Sequence, residues 1–435
     1  MATSLLYKSV LAAALALTVA SAGASHAQTY TDLFNFNGTD GRPAWPQILA
    51  QGRDGDLYGT TTYGGVEYFG DAFKMTLGGS ETVLYGFGGA AGNSPSGGLT
   101  LGTDGDFYGT TLTTIFRMAP DGVLTVLYTS TGGPTLGPGV IQGSDGTFYG
   151  TTSSETAYKI TSSGNFTSLG ALPGISAAPL LLATDGNFYG TTEAGGNSNN
   201  GTIFKLTPGG IVTVIYNFDF VHGAKPLGPL IQANDGNFYG TTIGGGARGG
   251  GVIFQMTPGG TLRVMHDLAQ PSDAFAGLIQ ATDGNLYDVV HIPNTYGVIF
   301  EITLGGTVSE LYAFDGHEGA SPWATPMQHT NGKIYGLAAA GGAHNKGVLY
   351  RFDNSLAPFV RLVPSVGSAG RVIGFLGQGF TGTTAVSFNG IAATFNVESE
   401  TYLTAIVPTG ATSGTVSVTT PGGVLNSNQA FQIKP

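Results

Sequence analysis

Apolar and polar positions alternate with a period of two in short runs, and Gly, Asn, Asp or Pro separates one run from the next. That period belongs to β-strands whose two faces meet different surroundings. The pattern is clearest around Asp235. An apolar strand over 229–233 is followed by the turn Asn234-Asp235-Gly236-Asn237, where Gly accepts the positive φ a tight hairpin requires. A second strand covers 238–242, a Gly-rich connection leads to a third over 251–257, and Pro258-Gly259-Gly260 turns into a fourth over 261–268. Four antiparallel strands of this kind form one propeller blade.

The unit recurs. Its marker reads Asp54-Gly-Asp-Leu-Tyr-Gly59, Asp104-Gly-Asp-Phe-Tyr-Gly109, Asp145-Gly-Thr-Phe-Tyr-Gly150, Asp185-Gly-Asn-Phe-Tyr-Gly190, Asp235-Gly-Asn-Phe-Tyr-Gly240, Asp283-Gly-Asn-Leu-Tyr-Asp288 and Asn331-Gly-Lys-Ile-Tyr-Gly336. The spacings are 50, 41, 40, 50, 48 and 48 residues, a period that signals blades of a β-propeller. Third strands repeat as well, as in Ile203-Phe-Lys-Leu-Thr207 and Ile299-Phe-Glu-Ile-Thr303, with one polar residue among buried apolar ones. The seventh copy has no fourth strand after Phe352. Near the other end of the chain, Asp32-Leu-Phe-Asn-Phe36 matches the fourth strand Glu310-Leu-Tyr-Ala-Phe314 in residue type. The expected fold is therefore all-β: a seven-bladed β-propeller over 28–355, closed by its N-terminal strand so that no sheet edge is left open at the seam.

Residues 1–27 read as an export leader, with one charge at Lys8, a small-residue apolar run and a small-x-small cleavage site ending at Ala27. Cleavage there predicts a secreted protein, extracellular, periplasmic or at the cell surface. Gly contributes 73 of 435 residues and charged residues only 10%, a composition of tight turns and short strands. The net charge of −11 and the absence of a basic cluster exclude nucleic acid and anionic membranes as expected partners. Cys is absent, so disulfides and thiolate metal sites are excluded. No apolar run of spanning length follows Ala27, and a monomer is expected.

From about Pro358 the repeat gives way to short alternating strands: Val372-Ile-Gly-Phe-Leu-Gly-Gln-Gly-Phe380, Val386-Ser-Phe-Asn-Gly390, Leu403-Thr-Ala-Ile-Val-Pro408 and Gly414-Thr-Val-Ser-Val-Thr-Thr420. These suit a small β-sandwich over 356–435. In order and wording the motifs resemble the IPT/TIG immunoglobulin-like family. The propeller unit itself resembles the GloVer-type tandem repeat of exported bacterial proteins, most fully in copies four and five. Copy six departs from it at Tyr287-Asp-Val-Val290. This resemblance implies export and a propeller, and it implies no particular ligand.

Candidate chemistry is sparse. The Asp-Gly turns offer one or two carboxylates each, fewer than a calcium loop needs, and Gly244-Gly-Gly-Ala-Arg-Gly-Gly-Gly251 lacks the Lys and Ser/Thr of a phosphate loop. The His residues form no metal-binding pair, and no Gly-x-Ser-x-Gly elbow exists. No cofactor, metal or catalytic residue is expected. One face of a propeller carries the short Asp-Gly and Pro-Gly-Gly turns, which leave little to bind with. The other carries the long connections, and loops on a rigid scaffold are where binding concentrates. There the sequence places Arg42, Trp45, Tyr63, Tyr68, His222, Lys225, Arg248, His291, Tyr296, His317, Glu318, Trp323, His344 and Lys346. The connections after the second strand are short in copies two and three, which predicts a lopsided cleft. The expected function is non-enzymatic binding or scaffolding, with protein or polysaccharide as ligand. The alternative is a polysaccharide lyase or glycoside hydrolase on the same face. The C-terminal module is expected to fold alone, and its loss to leave the propeller's melting nearly unchanged.

Overall fold

The computed structural model describes residues 28–434 apart from 44–46, 270–273 and 293. The leader, its cleavage site and Trp45 lie outside the described residues. The chain is all-β, and its one helical element among the described residues is a single 3-10 turn at Gly89–Ala91.

Within the repeat region the strands form four-stranded antiparallel sheets, each made of strands consecutive in sequence with one exception. The fifth unit illustrates the pattern: Ile231–Gln232, Phe238–Thr241, Gly249–Met256 and Leu262–Ala269, hydrogen-bonded in that order. The exception is the last sheet, in which Met327–Gln328, Ile334–Ala338 and Val348–Asp353 take Thr29–Asn35 as their fourth strand. The pairing runs antiparallel from Thr29↔Asp353 to Asn35↔Val348.

The register of that strand reproduces an irregularity of the other sheets. In the sixth unit, Ile299 pairs with Tyr312 and Phe300 with Glu310, so Leu311 is bulged out. The same skip passes over Leu84, Leu127, Ile215 and Met265. In the last sheet Leu349 pairs with Phe34 and Tyr350 with Asp32, which leaves Leu33 in the bulge. The bulged residue turns its carbonyl toward the next sheet. A Cβ on Gly260 would stand 2.9 Å from the carbonyl oxygen of Ile215, and a Cβ on Gly79 would stand 2.5 Å from that of Leu33. Both glycines also have positive φ, so the turn sequence reflects close approach as well as conformation.

The recurring Asp and Tyr of the repeat are a single device. Asp235 Oδ1 accepts the Asn237 N–H at 3.0 Å and Asp235 Oδ2 accepts the Tyr239 hydroxyl at 2.7 Å. Tyr58, Tyr108, Tyr149, Tyr189 and Tyr287 donate to Asp54, Asp104, Asp145, Asp185 and Asp283 in the same way. Each of these rings is buried, and several stack on the Phe of the next unit's second strand: Tyr58 on Phe107 at 4.1 Å and Tyr108 on Phe148 at 3.7 Å between centroids. Burying a side chain of this size stabilises by about 1.5–3 kcal/mol, and the device repeats around the molecule.

A third recurring contact joins neighbouring units through Gln. Gln232 Oε1 accepts from Thr184 N–H at 2.8 Å while its Nε2 donates to the Gly236 carbonyl at 3.0 Å. Gln142, Gln280 and Gln328 do likewise with Thr103, Asn234 and Thr282 of the preceding unit. Gln51 of the first unit grips Thr330 of the last.

The C-terminal segment forms two four-stranded sheets, one built on Val372–Leu376 and Tyr402–Ile406, the other on Ala385–Phe388 and Val416–Thr420. Ile373, Phe375, Phe388, Leu403, Val416 and Val418 form the core between them. This segment lies on the Asp-Gly turns. Thr401 Oγ1 donates to the Arg53 carbonyl at 2.7 Å, and the Arg53 guanidinium lies 4.5 Å from the Tyr402 ring centroid. Arg371 and Lys434 both donate to Ser144, to its carbonyl at 2.9 Å and its hydroxyl at 3.0 Å. Asn234 reaches the Asn428 carbonyl and Gln378 reaches Thr330 Oγ1, each at 3.1 Å. The short-turn face, whose turns were expected to leave little to bind with, is thus where the C-terminal segment docks.

Candidate functional site

With the Asp-Gly turns engaged, the opposite face carries the connections after the second and fourth strands of each unit. In the first unit the chain at Arg42 bridges to Tyr63, with Arg42 N–H donating to the Tyr63 carbonyl at 2.6 Å, and the Arg42 side chain reaches the Ala339 carbonyl. This bridge supports a loop whose tip is apolar and open: Tyr68 is 81% exposed and Val66 78%. Tyr68 has φ 62, a conformation that costs a non-glycine residue energy and here directs an aromatic side chain into solvent. The Lys346 stem passes over Gly38.

In the sixth unit His291 meets the edge of Trp323 at 5.8 Å between centroids, and Phe275 meets it at 6.2 Å. The Trp323 indole N–H is buried without a hydrogen-bond partner. Tyr296 is exposed and its ring packs over Gly316. His317 and Glu318 follow a turn capped by Asp315, whose Oδ1 accepts both of their N–H groups. Glu318 also accepts hydrogen bonds from Tyr30 and Tyr312, two rings stacked 4.2 Å apart. His222 pairs with Asp219, Nδ1 to Oδ2 at 2.7 Å, three residues away in the same loop; desolvation is the largest single influence on the Asp219 carboxyl and raises it, but the backbone and side-chain hydrogen bonds of His222, with its charge, together hold it below its ordinary range. Lys225, Arg248, His344 and Lys346 are exposed.

The sequence-predicted residues among those described lie on the connections, and the structure pairs Arg42 with Tyr63 through the backbone and His291 with Trp323 through their rings; Trp45 lies outside the described residues. An open cavity of about 650 Å³ lies beside His222, lined by Phe220, Val221, Ala247, Arg263 and Asp267. It borders the outer strand Leu262–Ala269 of the fifth unit. The connections at 111–113 and 153–155 are short, as expected. Among the described residues no group of three or more His, Cys, Asp or Glu gathers where it could hold a metal ion.

Three buried titratable groups were not anticipated. Asp288 stands where the other units carry Gly, fully buried, and burial pushes its carboxyl up to about 8. His329 is buried at the seam, its Nε2 2.9 Å from the Gly55 carbonyl, and desolvation lowers it to about 4. Asp71 is buried in the first unit, raised to about 6 by burial and then by the charge of Asp40. The sequence signal for Asp288 was the break in copy six.

The repeat pattern of the Gloeobacter/Verrucomicrobia family matches residues 19–163 and 112–291, which together exceed half of the chain. The chain belongs to the Gloeobacter/Verrucomicrobia repeat family. Its C-terminal segment, 359–433, matches the IPT/TIG domain. No curated protein matches the sequence.

Solved structures similar to this Gloeobacter/Verrucomicrobia repeat protein share the fold at low identity. A streptogramin B lyase superposes with a TM-score of 0.56 at 16% identity, covering 75% of this chain and 97% of its own. A catalytically inactive virginiamycin B lyase from Staphylococcus aureus, solved with quinupristin, gives 0.56 at 17% identity over 75% of this chain and 99% of its own. An extracellular domain assigned to a hybrid two-component system of B. thetaiotaomicron gives 0.55 at 12% identity, covering 93% of this chain and 46% of its own. At these identities the likeness concerns the fold, and function has to be argued from the site. Among the described residues no helix is long and apolar enough to cross a membrane.

Proposed function

We propose that this protein is an exported, monomeric binding or scaffold protein, built as a seven-bladed propeller over 28–355 with a sandwich module over 356–435. Its long-connection face binds a protein or polysaccharide ligand. The ring reading is supported by contacts that recur between consecutive units and are repeated between the first and last units: the bulge of Leu33 against Gly79, the Gln51–Thr330 clamp and the edge contact of Phe36 with Phe73 at 5.8 Å. Export is supported by the leader pattern and by the extracellular domain among the similar structures.

The observation that carries the binding reading is the contrast between the two faces. One is occupied by the C-terminal segment, while the other presents exposed aromatic side chains, Tyr63, Tyr68, Phe220 and Tyr296, each more than half exposed. Aromatic platforms on a rigid scaffold contribute contact area at small entropic cost. Acid–base catalysis would call for two titratable groups within hydrogen-bond reach around a shared reacting position. The candidate residues instead spread around the face, and the His222–Asp219 pair sits in one loop. The similar lyase structures make cleavage the second reading.

The test is to pass the mature chain over immobilised polysaccharides and surface proteins, scoring retention and soluble products separately. Retention without products, lost in the combined Tyr63→Ala, Tyr68→Ala and Tyr296→Ala variant, is the expected result. Release of cleaved products would overturn it in favour of the enzyme.

A further inference from the structure

In three units the connection after the second strand is held from below in one way. Asn35 accepts the N–H of Ala343 at 2.7 Å, Asn217 that of Asn197 at 3.1 Å, and Asp267 that of Ala247 at 2.5 Å. Each anchor lies on the fourth strand. Opposite it on the third strand stands Val348, Thr202 or Val252, with a methyl group against the loop glycine.

In the first unit the two positions are exchanged. Asp71 is on the third strand and Gly86 opposite it on the fourth. The Asp71 carboxylate lies flat on Gly65, where a Cβ would come within 2.2 Å of Oδ2 and 2.3 Å of Oδ1. Asp71 is 1% exposed, and neither of its oxygens has a hydrogen-bond partner. The charged group acting on it is another buried carboxylate, Asp40, whose Oδ1 is held by the N–H groups of Asn37 and Gly38. A buried carboxylate with no donor and no cation beside it is costly unless its charge is neutralised. Gly86 leaves open, next to that carboxylate, the position an amide or carboxyl group occupies in the other three units: a Cβ there would meet only Asp71 Oδ1, at 3.5 Å.

We propose that Asp71 and Asp40 hold a hard divalent cation of the calcium class in the space left by Gly86, beneath the loop that carries Tyr63 and Tyr68. Carboxylate oxygens completed by backbone carbonyls and water are the donors such an ion takes, and what sets this pair apart from the exposed Asp-Gly turns is that Asp71 is buried with neither oxygen partnered. The ion does for this loop what Asn35, Asn217 and Asp267 do for theirs. This site stands apart from the binding reading and does not depend on it.

The mature chain, stripped with a chelator, is titrated with calcium by calorimetry and melted with and without the ion. One ion per chain and a higher melting temperature are expected. Asp71→Thr installs the residue found at 114 and 202, so it should fold, yet bind calcium at least about tenfold more weakly. The double variant Asp71→Val with Gly86→Asn rebuilds the Val348–Asn35 arrangement and should melt identically with and without chelator. A wild-type protein with no heat of binding and coincident melts overturns the proposal. So does Asp71→Thr binding as tightly as wild type, or a double variant that still responds to calcium.

Discussion

Gln51 and Thr330, 279 positions apart, exchange two hydrogen bonds: Gln51 Nε2 donates to Thr330 Oγ1 at 2.7 Å, and the Thr330 N–H donates back to Gln51 Oε1 at 3.2 Å. The same kind of Gln joins four pairs of units that are neighbours in sequence, through Gln142, Gln232, Gln280 and Gln328, so the first and last units meet as those consecutive pairs do. If the seam is an ordinary junction, Gln51→Ala and Gln232→Ala should cost the same. Each leaves a buried or half-buried partner unsatisfied, a loss of about 1–3 kcal/mol, measurable by denaturant unfolding. A negligible effect at Gln51 alone would mark the seam as open.

Asp288 gives the fold a pH dependence of known sign. Its native carboxyl is raised to about 8, against an ordinary value of 3.8. Between those values the native state keeps a proton that the unfolded chain has lost, so its contribution falls as pH rises and levels off above about 8. Asp288→Asn keeps the shape without the titration. Its stability relative to wild type should grow by up to about 1.4 kcal/mol per pH unit from pH 4 toward pH 8. A difference that stays constant across that window would show Asp288 to be ionised in the native state.

His329 acts in the opposite sense. Its imidazole is lowered from 6.5 to about 4, so the unfolded chain binds a proton that the native state refuses. Stability is full above pH 6.5 and is lost as pH falls toward 4. His329→Gln should flatten the acid limb of the stability profile, read from melts between pH 4 and pH 7. An unchanged acid limb would place the imidazole in water rather than at a buried seam.

The C-terminal segment should not be separable without consequence. Removing 356–435 takes away the hydrogen bonds from Thr401, Arg371, Lys434 and Gln378 to the Asp-Gly turns. At about 0.5–1.5 kcal/mol each, their loss should lower the melting of the repeat region and speed hydrogen exchange in the turns near Arg53 and Thr330. Coincident melts with and without the segment would show two independent modules instead.

Much of this was legible in sequence because the repeat states it many times over. The Asp-Gly turn, the buried Tyr and the fourth-strand likeness of Asp32-Leu-Phe-Asn-Phe36 to Glu310-Leu-Tyr-Ala-Phe314 each carried the information later seen as register. The Gln three residues before the turn was equally visible but has no turn or strand propensity to draw the eye; its meaning lies in a neighbouring unit. Docking of the C-terminal segment was not legible, because Thr401, Arg371 and Lys434 are ordinary surface residues until another surface meets them. The long connections could be read as loops, yet loops carry no period, and which side chains meet there is set by long-range packing. Asp71 carries no signal of its own in sequence, because what sets it apart is Gly86 standing opposite it across two strands.

The closed ring depends on the N-terminal strand completing the last sheet. The direct measurement is to delete 28–37 from the mature chain and follow hydrogen exchange in every repeat unit together with the melt. A closed ring predicts that protection falls throughout, including the Tyr–Asp turns of the middle units, and that melting drops for the whole repeat region. A loss of protection confined to 334–353, with the melt unchanged, would contradict it.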